Sequence, residues 1–250
     1  MFGRQKPKIQ YLADSETTWT LIVGDVHGQL AHLEALHRLF IARVPQTAAR
    51  RTISVGDLID RGPDTAGVLD WFLNPPEGEE RLSVRGNHEV MFEDFLARPS
   101  ASHAWITNAG GLETLRSYHP ALDEPSLTID LKARLAQIPT RHTLFLKGLP
   151  DLLIVDRHCI VHAAIDPLRP LEQQSNTRLH LGPCLHPRLA HLLDLSGFPF
   201  ETIVHGHQPH AMPIVASTAL INLDTGCYHT GQLTGLILSP QGTEVIMSTD

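Results

Sequence analysis

Apolar positions in the first third of the chain alternate between short β-branched runs and amphipathic stretches, and this alternation predicts strand, helix, strand. Trp19 to Val23 reads as a strand, and Gln29 to Ala42 carries Leu30, Leu33, Leu36 and Phe40 at helical spacing, giving one buried face. Arg51 to Val55 predicts a second strand, Asp64 to Leu73 a second helix with Asp64 or Pro63 near its start, and Arg81 to Val84 a third strand. A third helix is expected from about Glu89. From Trp105 to Gln137 the pattern stays helical but is broken by Gly110-Gly111, Pro120 and Pro125, which predicts a small helical insertion or lid over residues 99–138. After Pro139 strands dominate: Thr143 to Leu146, Leu152 to Val155, Cys159 to His162, Thr202 to His205, Ala219 to Leu223, Leu233 to Leu238 and Glu244 to Met247. Leu168 to Leu185, polar and proline-containing, reads as the one long irregular loop.

Each of the first three strands runs into a glycine-bounded polar string. These are Gly24-Asp25-Val26-His27-Gly28, Gly56-Asp57-Leu58-Ile59-Asp60-Arg61-Gly62 and Arg85-Gly86-Asn87-His88-Glu89. Glycine lets the backbone turn tightly and close in on a ligand. The strings recur at roughly the length of one strand-helix-strand unit, so they should gather at one edge of one sheet.

Asp25 and His27 offer a hard oxygen and an imidazole nitrogen to a cation from one strand end. Asp57 adds a carboxylate, whose two oxygens can bridge two cations, and Asn87 can ligate through its carbonyl without adding charge. His162 follows a further apolar run, and His205 and His207 follow another. Taken singly, Gly-Asp after a strand is a turn or a helix cap, and a strand-end histidine is structural. Recurring in order, they point to two cation sites sharing Asp57, with the choice between His205 and His207 left open by spacing alone. Most of the sixteen histidines, among them His32, His37, His103 and His191, sit in helical or polar stretches and read as solvated or hydrogen-bonded.

Composition narrows the picture. With 250 residues, 42% hydrophobic, the chain can bury a substantial core, and a single domain is expected over residues 1–250 with its core over about 19–248. A net charge of -7 excludes a nucleic-acid binder that relies on a basic surface, so any phosphate site must be local. Cys159, Cys184 and Cys227 are too few and scattered for a disulfide framework or a CxxC metal site, which fits a reducing compartment. Met1 to Ile9 is basic and polar, and no run approaches the roughly 18 apolar residues of a membrane span; a cytoplasmic protein without membrane partners is expected.

The three strings, His162, and Gly206-His207-Gln208 together resemble, in order, the signature of the phosphoprotein phosphatase family of calcineurin-like metallophosphoesterases. The resemblance spans Leu21 to Leu238. It is strongest to the small bacterial and phage serine/threonine protein phosphatases, through Gly110-Gly111-Leu112-Glu113-Thr114-Leu115, Val161-His162-Ala163 and Leu223-Asp224-Thr225-Gly226-Cys227-Tyr228. It implies an α/β fold: a four-layer α/β/β/α sandwich with two mixed β-sheets flanked by helices. It also implies two divalent metal ions, Mn²⁺ by donor type, with Fe or Zn admissible. Asp25, His27 and Asp57 would hold the first, and Asp57, Asn87, His162 and His207 the second. The family ligand lies between glycine and a polar residue, which selects His207 and leaves His205 beside it.

The implied chemistry is direct attack on phosphorus by a hydroxide bridging cations about 3.5 to 4 Å apart. His88, with Asp60 on its other ring nitrogen, would protonate the leaving alkoxide. Arg61 and Arg85 would bind substrate phosphate through their planar donor forks. One stretch departs from the family pattern: the Trp-x-Arg element expected after the metal histidine is replaced by Gln173-Gln174-Ser175-Asn176-Thr177-Arg178-Leu179-His180-Leu181-Gly182-Pro183, and Arg178 is expected to stand in from a shifted position. The implied substrate is a phosphoprotein or a small phosphorylated molecule. The resemblance prefers a protein serine/threonine phosphatase to the related diadenosine tetraphosphate hydrolases on the Asp60-Arg61 pair. A small-molecule phosphatase or phosphodiesterase is the other enzymatic alternative, and a noncatalytic phosphate-binding module is expected to have lost ligands or His88.

Overall fold

The computed structural model describes residues 6–13, 17–120, 131, 134–184, 186–217 and 219–248. In chain order the elements are β1 (Ile9–Leu12), β2 (Thr18–Val23), α1 (Leu30–Ile41), β3 (Ala49–Ser54), α2 (Thr65–Leu73), β4 (Glu79–Ser83) and α3 (Asn87–Ala97). The insertion contributes α4 (Ala104–Asn108) and α5 (Gly111–Tyr118), followed by α6 (Thr140–Gly148). Then come β5 (Leu152–Val155), β6 (His158–Val161), α7 (Asn176–Leu181), β7 (Thr202–His205), β8 (Ile214–Ser217), β9 (Leu220–Asn222), α8 (Cys227–Thr230), β10 (Thr234–Ser239) and β11 (Gly242–Met247). Of the expected insertion, residues 121–130 and 132–133 lie outside the described ones.

The strands form two mixed sheets, ordered β11-β10-β2-β3-β4 and β1-β5-β6-β7-β9-β8. Strand β2 shows why both of its faces must be covered: Leu21 and Val23 pack with Leu33, Leu36 and Phe40 of α1, while Ile22 packs toward the other sheet. Ile22, Ile53, Val55 and Val84 from one sheet and Leu153, Ile160, Val204 and Ile221 from the other form the layer between the sheets. Helices on one outer face and the α7 region on the other complete four layers. Strands buried on both faces read as continuous apolar runs, as these do.

Parallel pairing decides where the chemistry goes. β2, β3 and β4 run parallel, with Val23 opposite Ser54 and Ser54 opposite Ser83, so the turns after all three emerge at one edge. β6, β7 and β9 also run parallel, which brings their exits to a common edge. Cross-links close the turns on one another: the His27 and Gly28 N–H groups donate to the Asp57 and Leu58 carbonyls at 2.8 and 2.9 Å, and Gly206 N–H donates to His162 O at 2.9 Å.

Three expectations change. Thr143 to Leu146 is not a strand but part of α6, which buries His142 and Leu146, four residues apart, and leaves Leu144 exposed. A short apolar run cannot by itself distinguish strand from helix. Helix α3 begins at Asn87 rather than Glu89, so Asn87 and His88 occupy its first turn. The loop from Leu168 to Leu185 contains α7, and β1 and β8 are sheet-edge strands that the pattern does not predict.

Candidate functional site

At the shared edge the donors converge on Asp57. Its Oδ1 accepts the His88 backbone N–H at 3.0 Å, and its Oδ2 faces His162 Nε2 at 3.4 Å, His27 Nε2 at 3.6 Å and His88 Nε2 at 3.8 Å. Asn87 Oδ1 lies 2.9 Å from both His162 Nε2 and His207 Nδ1. The His207 N–H reaches the Asp25 carboxylate at 3.2 Å. All these residues are buried except His207, which is partly exposed. Two triads of potential metal donors result, His27-Asp57-His88 and Asp25-Asp57-His162, and both contain Asp57. His88 also lies within reach of the first triad, and Asp25 within reach of the second.

Backbone fixes this cluster. His27 Nδ1–H donates to Ile59 O at 2.8 Å and His162 Nδ1–H to Val55 O at 3.0 Å, which leaves each Nε2 bare and turned toward Asp57. Glu89, from the first turn of α3, accepts N–H bonds from Gly86 and Asp57 on one carboxylate oxygen and from Leu58 on the other, at 2.8 to 3.0 Å. His27, Asp57, Asp60, Arg61 and His207 all have positive φ, between 46° and 73°. Such backbone costs of order 1–3 kcal/mol per residue and persists only where the surroundings impose it. At Gly86 and Gly206 an added Cβ would collide with Oδ1 of Asp57 and of Asp25. The carboxylates thus press directly on backbone.

The donor set fits cations. His162 Nε2 faces the Asp57 carboxylate at 3.4 Å and Asn87 Oδ1 at 2.9 Å, acceptor against acceptor, an arrangement that a cation between them satisfies. Burial pushes His27 down to about 3 and His162 down to about 4, which keeps both rings neutral, the form that ligates metal. Asp25 is raised well above the usual carboxylate range by burial and by the neighbouring Asp224 and Asp57 carboxylates. Three buried carboxylates so close together carry a surplus of negative charge that divalent ions neutralise.

Beside this cluster lies a second one, built around Asp60. His88 Nδ1–H donates to Asp60 Oδ2 at 2.7 Å, Trp105 Nε1–H donates to the same oxygen at 2.7 Å, and Thr114 Oγ1–H donates to Oδ1 at 2.7 Å. Burial opposes a charge on His88, but Asp57 and the bond to Asp60 outweigh it and raise the ring's pKa. An imidazole held this way keeps a proton on Nδ1 and turns Nε2 toward the Asp57 side. Trp105 and Thr114 belong to α4 and α5, so the helices expected as a lid are also a wall of the site. Thr114 falls within the Gly110–Leu115 motif, but the bonds of both residues to Asp60 are not apparent from their local sequence.

The arginines divide. The Arg61 guanidinium stands 3.2 Å from His27 Nε2 and lies over the Tyr228 ring, 4.5 Å from its centroid. Arg85 has partners of its own: Nη1 pairs with Glu93 at 3.0 Å, and Nη2 donates to Lys147 O at 2.6 Å. That pairing ties α3 to α6. Arg178 sits half-buried on α7 and acts on Cys184, whose thiol burial pushes up to about 12, with Asp25 and Asp224 adding to the rise and Arg178 opposing it. His205 lies beside His207 with Nδ1–H donating to Gly206 O at 3.0 Å, and burial lowers it to about 4.

The model of the calcineurin-like phosphoesterase family matches residues 18–211, most of the chain. The chain belongs to that family. Its members use a dinuclear metal centre and hydrolyse phosphate esters, and the Asp57 cluster supplies candidate ligands for such a centre. A bis(5'-nucleosyl)-tetraphosphatase of Anoxybacillus flavithermus is 27% identical over 252 residues, covering 91% of this chain and 94% of that protein. Serine/threonine-protein phosphatase 1 of Salmonella typhimurium is 41% identical over 105 residues, covering 41% of this chain and 44% of that protein. A solved structure assigned provisionally as a diadenosine tetraphosphatase shares the fold at a TM-score of 0.66 and 22% identity, covering 98% of this chain and 99% of its own. Relatives named for the two substrates are similar in different ways, one over nearly the full length and the other more closely over part of it. No helix among the described residues is long and apolar enough to cross a membrane.

Proposed function

We propose that this member of the family is a phosphomonoesterase acting on phosphoserine or phosphothreonine in proteins. Asp25, His27 and Asp57 hold one divalent cation, and Asp57, Asn87, His162 and His207 hold the other, with Mn²⁺ the ion best matched to oxygen and imidazole donors without thiolate. When bound, the ions supply Lewis acidity: they acidify water and neutralise charge on the phosphoryl group. The residues supply the rest. Arg61 offers its planar donor edge to phosphate oxygens. His88 gives a proton to the leaving oxygen, and Asp60 holds the ring in position while it does so.

The observation that carries this reading is the Asp60–His88 bond, 2.7 Å long and buried beside the donor cluster. A positioned acid matters most when the leaving group is a serine or threonine alkoxide, which departs poorly without a proton. A second reading, hydrolysis of a dinucleoside tetraphosphate, draws on the full-length likeness to the tetraphosphatase of Anoxybacillus flavithermus. Its nucleotide leaving group needs little protonation.

Metal-stripped protein reconstituted with Mn²⁺, Fe²⁺ or Zn²⁺ and assayed on phosphopeptides, aryl phosphate, cyclic nucleotide and diadenosine tetraphosphate separates the two. The expected result is Mn²⁺-dependent turnover with kcat/KM higher on phosphopeptide than on diadenosine tetraphosphate. The reverse order assigns the second reading. No activity with any ion refutes both.

A further inference from the structure

We infer that Tyr228 is the positioning residue that presents the Arg61 guanidinium to substrate phosphate. This inference rests on the phosphate-binding role proposed for Arg61. Arg61 has a left-handed backbone, φ 66°, and its N–H donates to Gly110 O at 3.2 Å, so its main chain is anchored. Its side chain is exposed and meets an imidazole on one side and the Tyr228 ring on the other. The imidazole contact cannot survive a cation on His27 Nε2, because both would occupy the same lone pair. Tyr228 then remains as the surface that orients the guanidinium.

Stacking suits this task. A cation over an aromatic face is held through the π-system, while the N–H donors lie in the guanidinium plane and stay available to phosphate. Arg85 shows the alternative: its Nη1 pairs with a carboxylate and its Nη2 with a carbonyl. Tyr228 is itself well fixed. It follows Gly226, whose N–H donates to Asp224 Oδ1 at 2.8 Å, and Cys227, which is buried. Its ring also meets the His27 ring edge-on at 5.4 Å. The side chain is 36% exposed, so it stands at the rim, where Arg61 and an incoming phosphate can meet.

The test is calorimetric titration of inorganic phosphate into Mn²⁺-loaded protein, which reads phosphate affinity without turnover. Wild type, Tyr228→Leu, Tyr228→Phe, Arg61→Ala and the Tyr228→Leu/Arg61→Ala double variant form a cycle. Tyr228→Leu should weaken phosphate binding about 3- to 5-fold, the scale of a part-exposed cation–π contact, and Tyr228→Phe by less than about 2-fold. In the Arg61→Ala background Tyr228→Leu should add nothing. The same 3- to 5-fold loss without Arg61, or no loss with it, overturns the inference. If phosphate binds and Arg61→Ala leaves its affinity unchanged, the role assigned to Arg61 fails instead, and the inference fails with it.

Discussion

The donor cluster around Asp57 and the Asp60–His88 pair adjoin, yet they are held in place by different means. Around Asp57 the backbone does the holding: carbonyls of Ile59 and Val55 fix the tautomers of His27 and His162, and Glu89 clamps three N–H groups of the neighbouring turns. Around Asp60 the holding comes from side chains of the insertion, Trp105 and Thr114. On the proposed roles, that difference makes cation binding and leaving-group protonation separable. Changes around Asp57 should damage every substrate alike, and changes around Asp60 should discriminate by leaving group.

The largest effect is expected at the shared ligand. Asp57→Asn should lower kcat/KM on the order of 1,000-fold on alkyl and aryl phosphates alike, as expected when several kcal/mol of metal-derived charge stabilisation is lost. Metal content by elemental analysis should fall with it. Full metal content in an inactive variant would break the assignment of Asp57 as a bridge. His88→Asn comes next, with a loss of about 100-fold on phosphoserine substrates and much less on aryl phosphates, the low end for a general acid. Thr114→Val, which removes one donor from Asp60, should cost about 10-fold on the same substrates and spare metal content, as loss of a supporting hydrogen bond does. An equal loss on aryl phosphate would show that Thr114 acts only on the fold.

A control lies outside both halves. Glu79 is buried on β4, and although burial raises its carboxyl, bonds from His37 at 2.9 Å and Arg81 at 2.6 Å outweigh this and hold it below the ordinary value of 4.5. A depressed carboxylate stabilises the fold above its unfolded pKa, and that stability is lost as pH falls through the folded value. Denaturation midpoints should therefore drop below about pH 4.5 in wild type, and the drop should be shallower in Glu79→Gln. Activity ratios between alkyl and aryl substrates at neutral pH should be the same in both proteins.

The halves also differ in how much of them the chain discloses. The Asp57 side is written in contiguous motifs, because each ligand stands within a few residues of a strand end and the strands are parallel. His162 and His207 follow the same rule in the second sheet. The partners of Asp60 do not: Trp105 and Thr114 lie 45 and 54 residues away, and although Thr114 falls within the Gly110–Leu115 motif, nothing local to either residue points to Asp60. Arg61 and Arg85 look equivalent as residues after strands, and only the position of Glu93 on α3 separates them. Helix α6 was illegible for another reason: the Leu144-Phe145-Leu146 run fits either period, and packing of His142 and Leu146 decides it. Edge strand β1, only part-buried and interrupted by Gln10, lacks the continuous apolar run that discloses β5, a strand of the same length.

The most direct test of a separable acid is a linear free-energy series. Mn²⁺-loaded wild type and His88→Asn would be assayed on phosphate monoesters spanning aryl to alkyl leaving groups, and log kcat/KM plotted against leaving-group pKa. The account predicts a shallow slope for wild type and a steep one for His88→Asn, the lines converging at the aryl end, because only poor leaving groups need the proton. Parallel lines, with His88→Asn displaced equally along the whole series, would contradict it.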